Sequence, residues 1–116
     1  MNIDNMTDSR FLKKEDCDPP IRPIIDHVEK TNVAKMGEEL ELKYCLFFRN
    51  GIKPMVLNST NRHLIAQALG SKETDDWSGK VIELYFDRTV TFNGRLEGGI
   101  RARRATQKLR PVADPA

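Results

Sequence analysis

The amino-acid sequence predicts a single, mainly β domain with one short helix. Three observations predict it. Apolar residues alternate with polar ones from Glu39 to Arg49, the period of a half-buried strand. Two Asn-Gly pairs, Asn50-Gly51 and Asn93-Gly94, stand between apolar runs, and a type I′ hairpin turn needs positive φ at both of its central residues. Between them a single segment, Asn61 to Leu69, carries apolar residues at helical spacing. With 116 residues, 39% of them hydrophobic, the chain suffices for one core and not two.

Residues 1–19 are polar except for Phe11-Leu12 and read as a flexible N-terminal arm that those two side chains dock on the body. Pro19-Pro20 stiffens the end of the arm. Ile21 to Val28 is the first strand. Pro23 has no amide hydrogen to give a ladder, so this strand starts at an edge or a bulge. Glu29 to Glu38 is polar and reads as a loop, with Gly37 as its turn residue.

The second strand runs from Glu39 to Arg49. Leu40, Leu42, Tyr44, Leu46 and Phe48 share the face expected to meet the core, which leaves Lys43, Cys45, Phe47 and Arg49 on the outer one. Ile52 to Leu57 returns as the third strand. Asn58, Ser59 and Thr60 offer side-chain oxygens to cap a helix, Leu64, Ile65, Ala68 and Leu69 form its apolar stripe, and Gly70 ends it. After a polar loop, Trp77 reads as a core plug. Val81 to Phe86 is the fourth strand, with Ile82, Leu84 and Phe86 inward and Tyr85 outward. Thr89 to Phe92 continues it. Arg95 to Arg104 is the fifth strand, bent at Gly98-Gly99. The body is therefore residues 20–105, and 106–116 form a flexible basic tail.

Three strands, a helix and two strands, βββαββ, is the connectivity of an OB-fold, a five-stranded, partly open barrel. A small α+β sheet with the helix on one face fits the same order.

Several function classes find no support. No apolar run approaches the ~18 residues of a membrane span, and the polar start lacks the apolar stretch of a signal peptide. Cys17 and Cys45 lack zinc-type spacing and read as free thiols of a reducing cytosol. His27 and His63 form no ligand or acid–base spacing, and Glu73, Asp75 and Asp76 lack the loop pattern of a calcium site. No phosphate-binding Gly-x-x-x-x-Gly-Lys run occurs. The expectation is a protein without catalytic residues, metal or cofactor.

Charge points elsewhere. Residues 101–116 hold Arg101, Arg103, Arg104, Lys108 and Arg110 against Asp114 alone, while the rest of the chain carries more acids than bases. A basic end on a near-neutral body suits a polyanion. Single-strand binders pair such charge with rings on which bases stack. The outer face of the second strand offers Lys43, Phe47 and Arg49, with Lys53 near the hairpin tip. Tyr85, Arg101, Arg103 and Arg104 extend the set. Glu39, Glu41 and Glu83 on the same faces oppose a polyanion and favour a protein partner instead.

Three segments carry a resemblance. They are Ser9-Arg10-Phe11-Leu12-Lys13-Lys14-Glu15-Asp16, Met55-Val56-Leu57-Asn58-Ser59-Thr60-Asn61, and Thr74-Asp75-Asp76-Trp77-Ser78-Gly79-Lys80-Val81-Ile82-Glu83-Leu84-Tyr85, closed by Gly99-Ile100-Arg101-Ala102-Arg103. Together they resemble a family of small proteins encoded in bacteriophage and prophage genomes. The resemblance implies an accessory role in replication or recombination. The expectation is a non-enzymatic binder of single-stranded DNA. The alternative is a module that binds a phage or host protein, including an inhibitor of host defence. Exposed sheet edges permit a monomer or a dimer.

Overall fold

Pro23 decides how the chain enters its first strand. Its ring removes one ladder hydrogen and the strand kinks shortly afterwards. In a computed structural model, which describes residues 10–105, β1 (Ile25–Asn32) carries a bulge between Ile25 and His27 and pairs antiparallel with β2 (Leu42–Phe48). The residues that lead into β1 also meet a different neighbour on their other edge. Ile21 bridges Leu84 and Ile24 bridges Val81, on and beside β4 (Ile82–Asp87).

The remaining elements are β3 (Met55–Val56), α1 (Ser59–Leu69), β5 (Thr91–Phe92), β6 (Arg95–Leu96) and β7 (Gly99–Arg104). Short 3₁₀ turns occupy Lys14–Cys17 and Thr74–Trp77. Strands β1, β2 and β3 form one antiparallel sheet with β2 in the middle, β4 pairs with β7, and β5 with β6 form a small hairpin. The lead-in through Ile21 and Ile24 laces the first two sheets together, so neighbours run β3, β2, β1, β4, β7.

Helix α1 stops at Gly70 as expected but starts at Ser59, two residues ahead of the expected Asn61, because Asn58 is its cap. The Asn58 side chain accepts from the Asn61 amide at 2.8 Å, and Gly70 takes the left-handed conformation at φ 74°. Ile65 from the helix packs with Ile25, Leu46, Ile82, Leu84 and Trp77 in the core. Trp77 is the expected plug. It is 2% exposed, and its indole N–H donates to Ser71 O at 2.9 Å.

Several expectations are corrected. The described strands number seven, in three sheets, and among the described residues no closed barrel forms. Glu29 to Asn32 is strand rather than loop, because it pairs with the far end of β2. Leu40, Leu42 and Tyr44 are exposed: that end of the ribbon runs past the core, and only Leu46 and Phe48 of the expected inner face are buried. The returning strand is broken, with β6 closing on β5 before β7 turns to β4. The described part of the N-terminal stretch, from Arg10, meets the body at Leu12, where docking was expected, and also at Cys17, where it was not. Leu12 N donates to Pro54 O at 2.8 Å, and Cys17 lies fully buried in the core. The tail 106–116, with Lys108 and Arg110, lies outside the described residues.

Candidate nucleic-acid interface

Alternation along the paired strands sorts side chains to two faces. On β4, Ile82 and Leu84 are buried inward, so Glu83, Tyr85 and Asp87 take the outer side. Antiparallel register sets Arg103 opposite Glu83 and Arg101 opposite Tyr85. On the other flank of β4, the bridge between Ile21 and Leu84 carries Arg22 to the outer side beside Glu83. The contacts follow from that placement. Arg22 Nε donates to Glu83 Oε1 at 2.9 Å, and Arg103 Nε donates to Oε2 at 2.6 Å. The Arg103 guanidinium lies over the Tyr85 ring, 4.1 Å from its centre.

Glu83 is only 5% exposed. Burial alone would push its carboxyl up. The hydrogen bonds and charges of the two arginines outweigh that and hold it below its ordinary value.

The same outer face continues over the joint between Ile24 and Val81 to β1 and β2. Arg49 N donates to Ile24 O at 2.9 Å, and its Nε stands 3.6 Å from Asp26, the bulge residue. His27 lies opposite Phe47, and the two rings stack in parallel with centres 4.7 Å apart. His27 Nδ1 meets an Asp26 carboxylate oxygen at 2.7 Å and Nε2 meets Glu29 Oε1 at 2.9 Å. Carboxylates only accept, so this geometry suits a ring protonated on both nitrogens. Hydrogen bonds to Asp26 first, then to Glu29, push the His27 pKa up, and the bond to His27 holds the Asp26 carboxyl down.

The expected site residues thus divide. Tyr85, Arg101 and Arg103 share the outer parity of the β4–β7 pair. Phe47 and Arg49 have the parity opposite to Leu46 and Phe48 on and just past β2, where Cys45, expected outward with them, is fully buried. Lys43 is exposed at the far end of β2, where its ammonium pairs with Glu41 at 3.4 Å. Lys53 is exposed in the connection that leads from β2 to β3. Arg104 is the correction: it pairs with Ile82 and has the parity of Ile100 and Ala102, so it belongs to the opposite side of β7. Phe47 and Tyr85 are not bare platforms, because His27 and Arg103 each cover a face.

Sequence reasoning missed Arg22, Asp26 and His27 as members of this face. Pro23 signalled a bulge nearby. Its position, which decides their parity, depended on which strand paired on each side.

Other chemistry finds little purchase. Cys17 and Cys45 are free and buried, and desolvation with the Asp16 charge pushes the Cys17 thiol up to about 11, far from the thiolate a nucleophile needs. Among the described residues no group of three or more His, Cys, Asp or Glu is arranged to hold a metal ion. No helix among them is long and apolar enough to cross a membrane. A groove of about 600 Å³ lies between β3 and β7, lined in part by Lys13, Val56, Asn61, Phe92 and Arg101.

Comparison of the chain with protein-family models, curated proteins and solved structures finds no match in any of the three.

Proposed function

We propose that this chain is a non-enzymatic protein that binds single-stranded DNA across the outer face of β7, β4, β1 and β2. The observation that carries the reading is the gathering on that face of Arg22, Arg49, Arg101 and Arg103 with two covered rings, Phe47 stacked on His27 and Tyr85 under the Arg103 guanidinium. Arginine planes and aromatic rings both offer flat surfaces to unpaired bases, and guanidinium groups take backbone phosphates.

The strand order supports the same reading. Neighbours β3, β2, β1, β4 and β7, with the helix between β3 and β4, follow the order of an OB-fold. We read the architecture as an OB-like barrel opened between β3 and β7. The accessory role in replication or recombination, within a bacterial cytoplasm, rests on the resemblance to bacteriophage and prophage proteins. Glu83 and Asp26 neutralise part of the face, so binding is weak and salt-sensitive.

Fluorescence anisotropy with a labelled strand of about 20 nucleotides, beside a duplex of equal length, tests the proposal. The expected result is single-strand preference that weakens with salt. Phe47→Ala, folded, should lose roughly tenfold in affinity, within the range for one stacked base. Absence of binding at low salt would overturn the reading. A second reading, a module that binds a phage or host protein, draws on exposed apolar side chains: Leu40 and Leu42 beside the β1–β2 loop, and Phe92 and Leu96 on the β5–β6 hairpin, 67% and 71% exposed.

A further inference from the structure

We infer that Arg22, Glu83 and Arg103 form a phosphodiester-holding site in which the buried carboxylate positions two guanidinium groups for one backbone phosphate. The inference rests on the proposed single-strand binding and assigns a specific place and an unexpected member to it.

Counted by charge, Glu83 opposes DNA. The geometry gives it another role. Its carboxylate is nearly out of solvent, with 6% of its side chain exposed, behind arginine side chains that are 41% and 50% exposed. A strand approaching this face meets the two guanidinium groups first. The three residues come from three neighbouring segments: Glu83 from β4, Arg103 from its register partner on β7, and Arg22 from the lead-in on the other flank. Arginines whose backbones stand two strand spacings apart, roughly 10 Å, are drawn toward each other because each takes a different oxygen of one carboxylate.

The donor arithmetic leaves the outer side available. An arginine has five N–H groups. Arg22 gives Nε to Glu83, and Arg103 gives Nε and Nη2, so neither commits its Nη1 to the carboxylate. Arg103 is held further by the Tyr85 ring beneath it. Two cations and one anion leave the triad with one positive charge. A phosphodiester, with one negative charge and several acceptor lone pairs, fits donors converging from two arginines. Without the carboxylate the like-charged guanidinium groups repel, lose their shared anchor and separate.

The consequence opposes simple charge counting. Glu83→Gln removes a negative charge at almost constant size. If Glu83 were only a neighbouring charge, the variant would bind single-stranded DNA more tightly, with a salt slope steeper by about one. The positioning role requires the reverse: affinity about tenfold lower at moderate salt and a shallower slope, because the phosphate contact is lost. Arg103→Lys provides a second test that keeps every charge but removes the planar fork and its place on Tyr85. It should lose affinity to a similar extent.

Both variants and the unaltered protein are measured by anisotropy with the same labelled single strand, after thermal unfolding has shown each variant folded at the assay temperature. Tighter binding by folded Glu83→Gln overturns the inference and leaves the proposed function standing. Unaltered affinity in Arg103→Lys overturns it also, and decides the matter if Glu83→Gln does not fold. No binding by the unaltered protein overturns the proposed function, and the inference with it.

Discussion

Asn61 is a helix residue that serves a strand. Its side-chain Nδ2 donates to Ile100 O at 2.9 Å, and its side-chain Oδ1 accepts from Ala102 N at 3.1 Å. The side chain thus does for the open edge of β7 what a neighbouring strand would do, at a place where β3 and β7 are not bonded. Asn61 is 2% exposed, so water does not replace what it provides. Asn61→Ala should therefore cost about 1–3 kcal/mol in urea unfolding, the usual penalty of buried groups left without a partner. A change well below that would mean the edge finds another partner. The Asn58-Ser59-Thr60 run announced a cap. Nothing local announced that the third residue after Asn58 would reach a strand far along the chain. Glu83 gives the same lesson: its outward parity was legible, its burial between two arginines was not, because Arg22 arrives from a segment far away in sequence.

At the scale of elements, turns were the most legible features. Asn50-Gly51 and Asn93-Gly94 take positive φ throughout, as hairpin turns of this composition require. Gly98-Gly99 was read as a bend, and its purpose emerges from packing. Gly98 sits at φ +79°, and a Cβ there would lie 2.4 Å from a ring carbon of Phe86. Gly98 N and Glu97 N both donate to Val90 O, which turns the chain from β6 into β7. Gly98→Ala combines left-handed strain with this clash and should lose about 2–3 kcal/mol, whereas Gly51→Ala, at φ +76° with open space around it, should lose about 1 kcal/mol. Equal losses in denaturant unfolding would show that the Phe86 contact yields freely. Strand β2 marks the limit of periodicity. Leu42 and Tyr44 keep the alternation of Leu46 and Phe48, yet they lie beyond the reach of the helix and the second sheet and remain exposed.

Across the whole molecule, ion pairs tie the outer face to pH. Hydrogen bonds to Asp26 and Glu29 raise the His27 pKa above its ordinary 6.5. The stability this adds is fully present below 6.5 and is lost as pH rises through the higher folded value. Asp26, Glu83 and Asp87 are held below their ordinary values of 3.8, 4.5 and 3.8. Their contribution is present above those values and is lost as pH falls through the lower folded ones. Stability measured in urea should therefore decline on the acid side below about pH 4 and, more gently, as pH rises above about 6.5. His27→Gln should flatten the second decline and spare the first. A neutral-range decline that persists in the variant would assign it to another group.

The sequence by itself determined the mainly β character, the single helix with its candidate caps and its C-terminal end, the two hairpin turns and the identity of the plug Trp77. These depend on near neighbours: a two-residue period, a cap three residues from its amide, a glycine where φ must be positive. It also set the parity of Tyr85, Arg101 and Arg103. Only the tertiary structure decided which strands became neighbours, and that choice made the candidate face. One stretch of chain meets β4 through Ile21 and Ile24 and β2 from Ile24 onward, with the bulge at Asp26 setting its register on β2. Arg22 then meets Glu83 and His27 meets Phe47 across contacts that no local pattern encodes. Such contacts form when the core selects a register that buries Ile25, Leu46, Ile82 and Leu84 together, because a slip of one residue would turn each of those side chains to water.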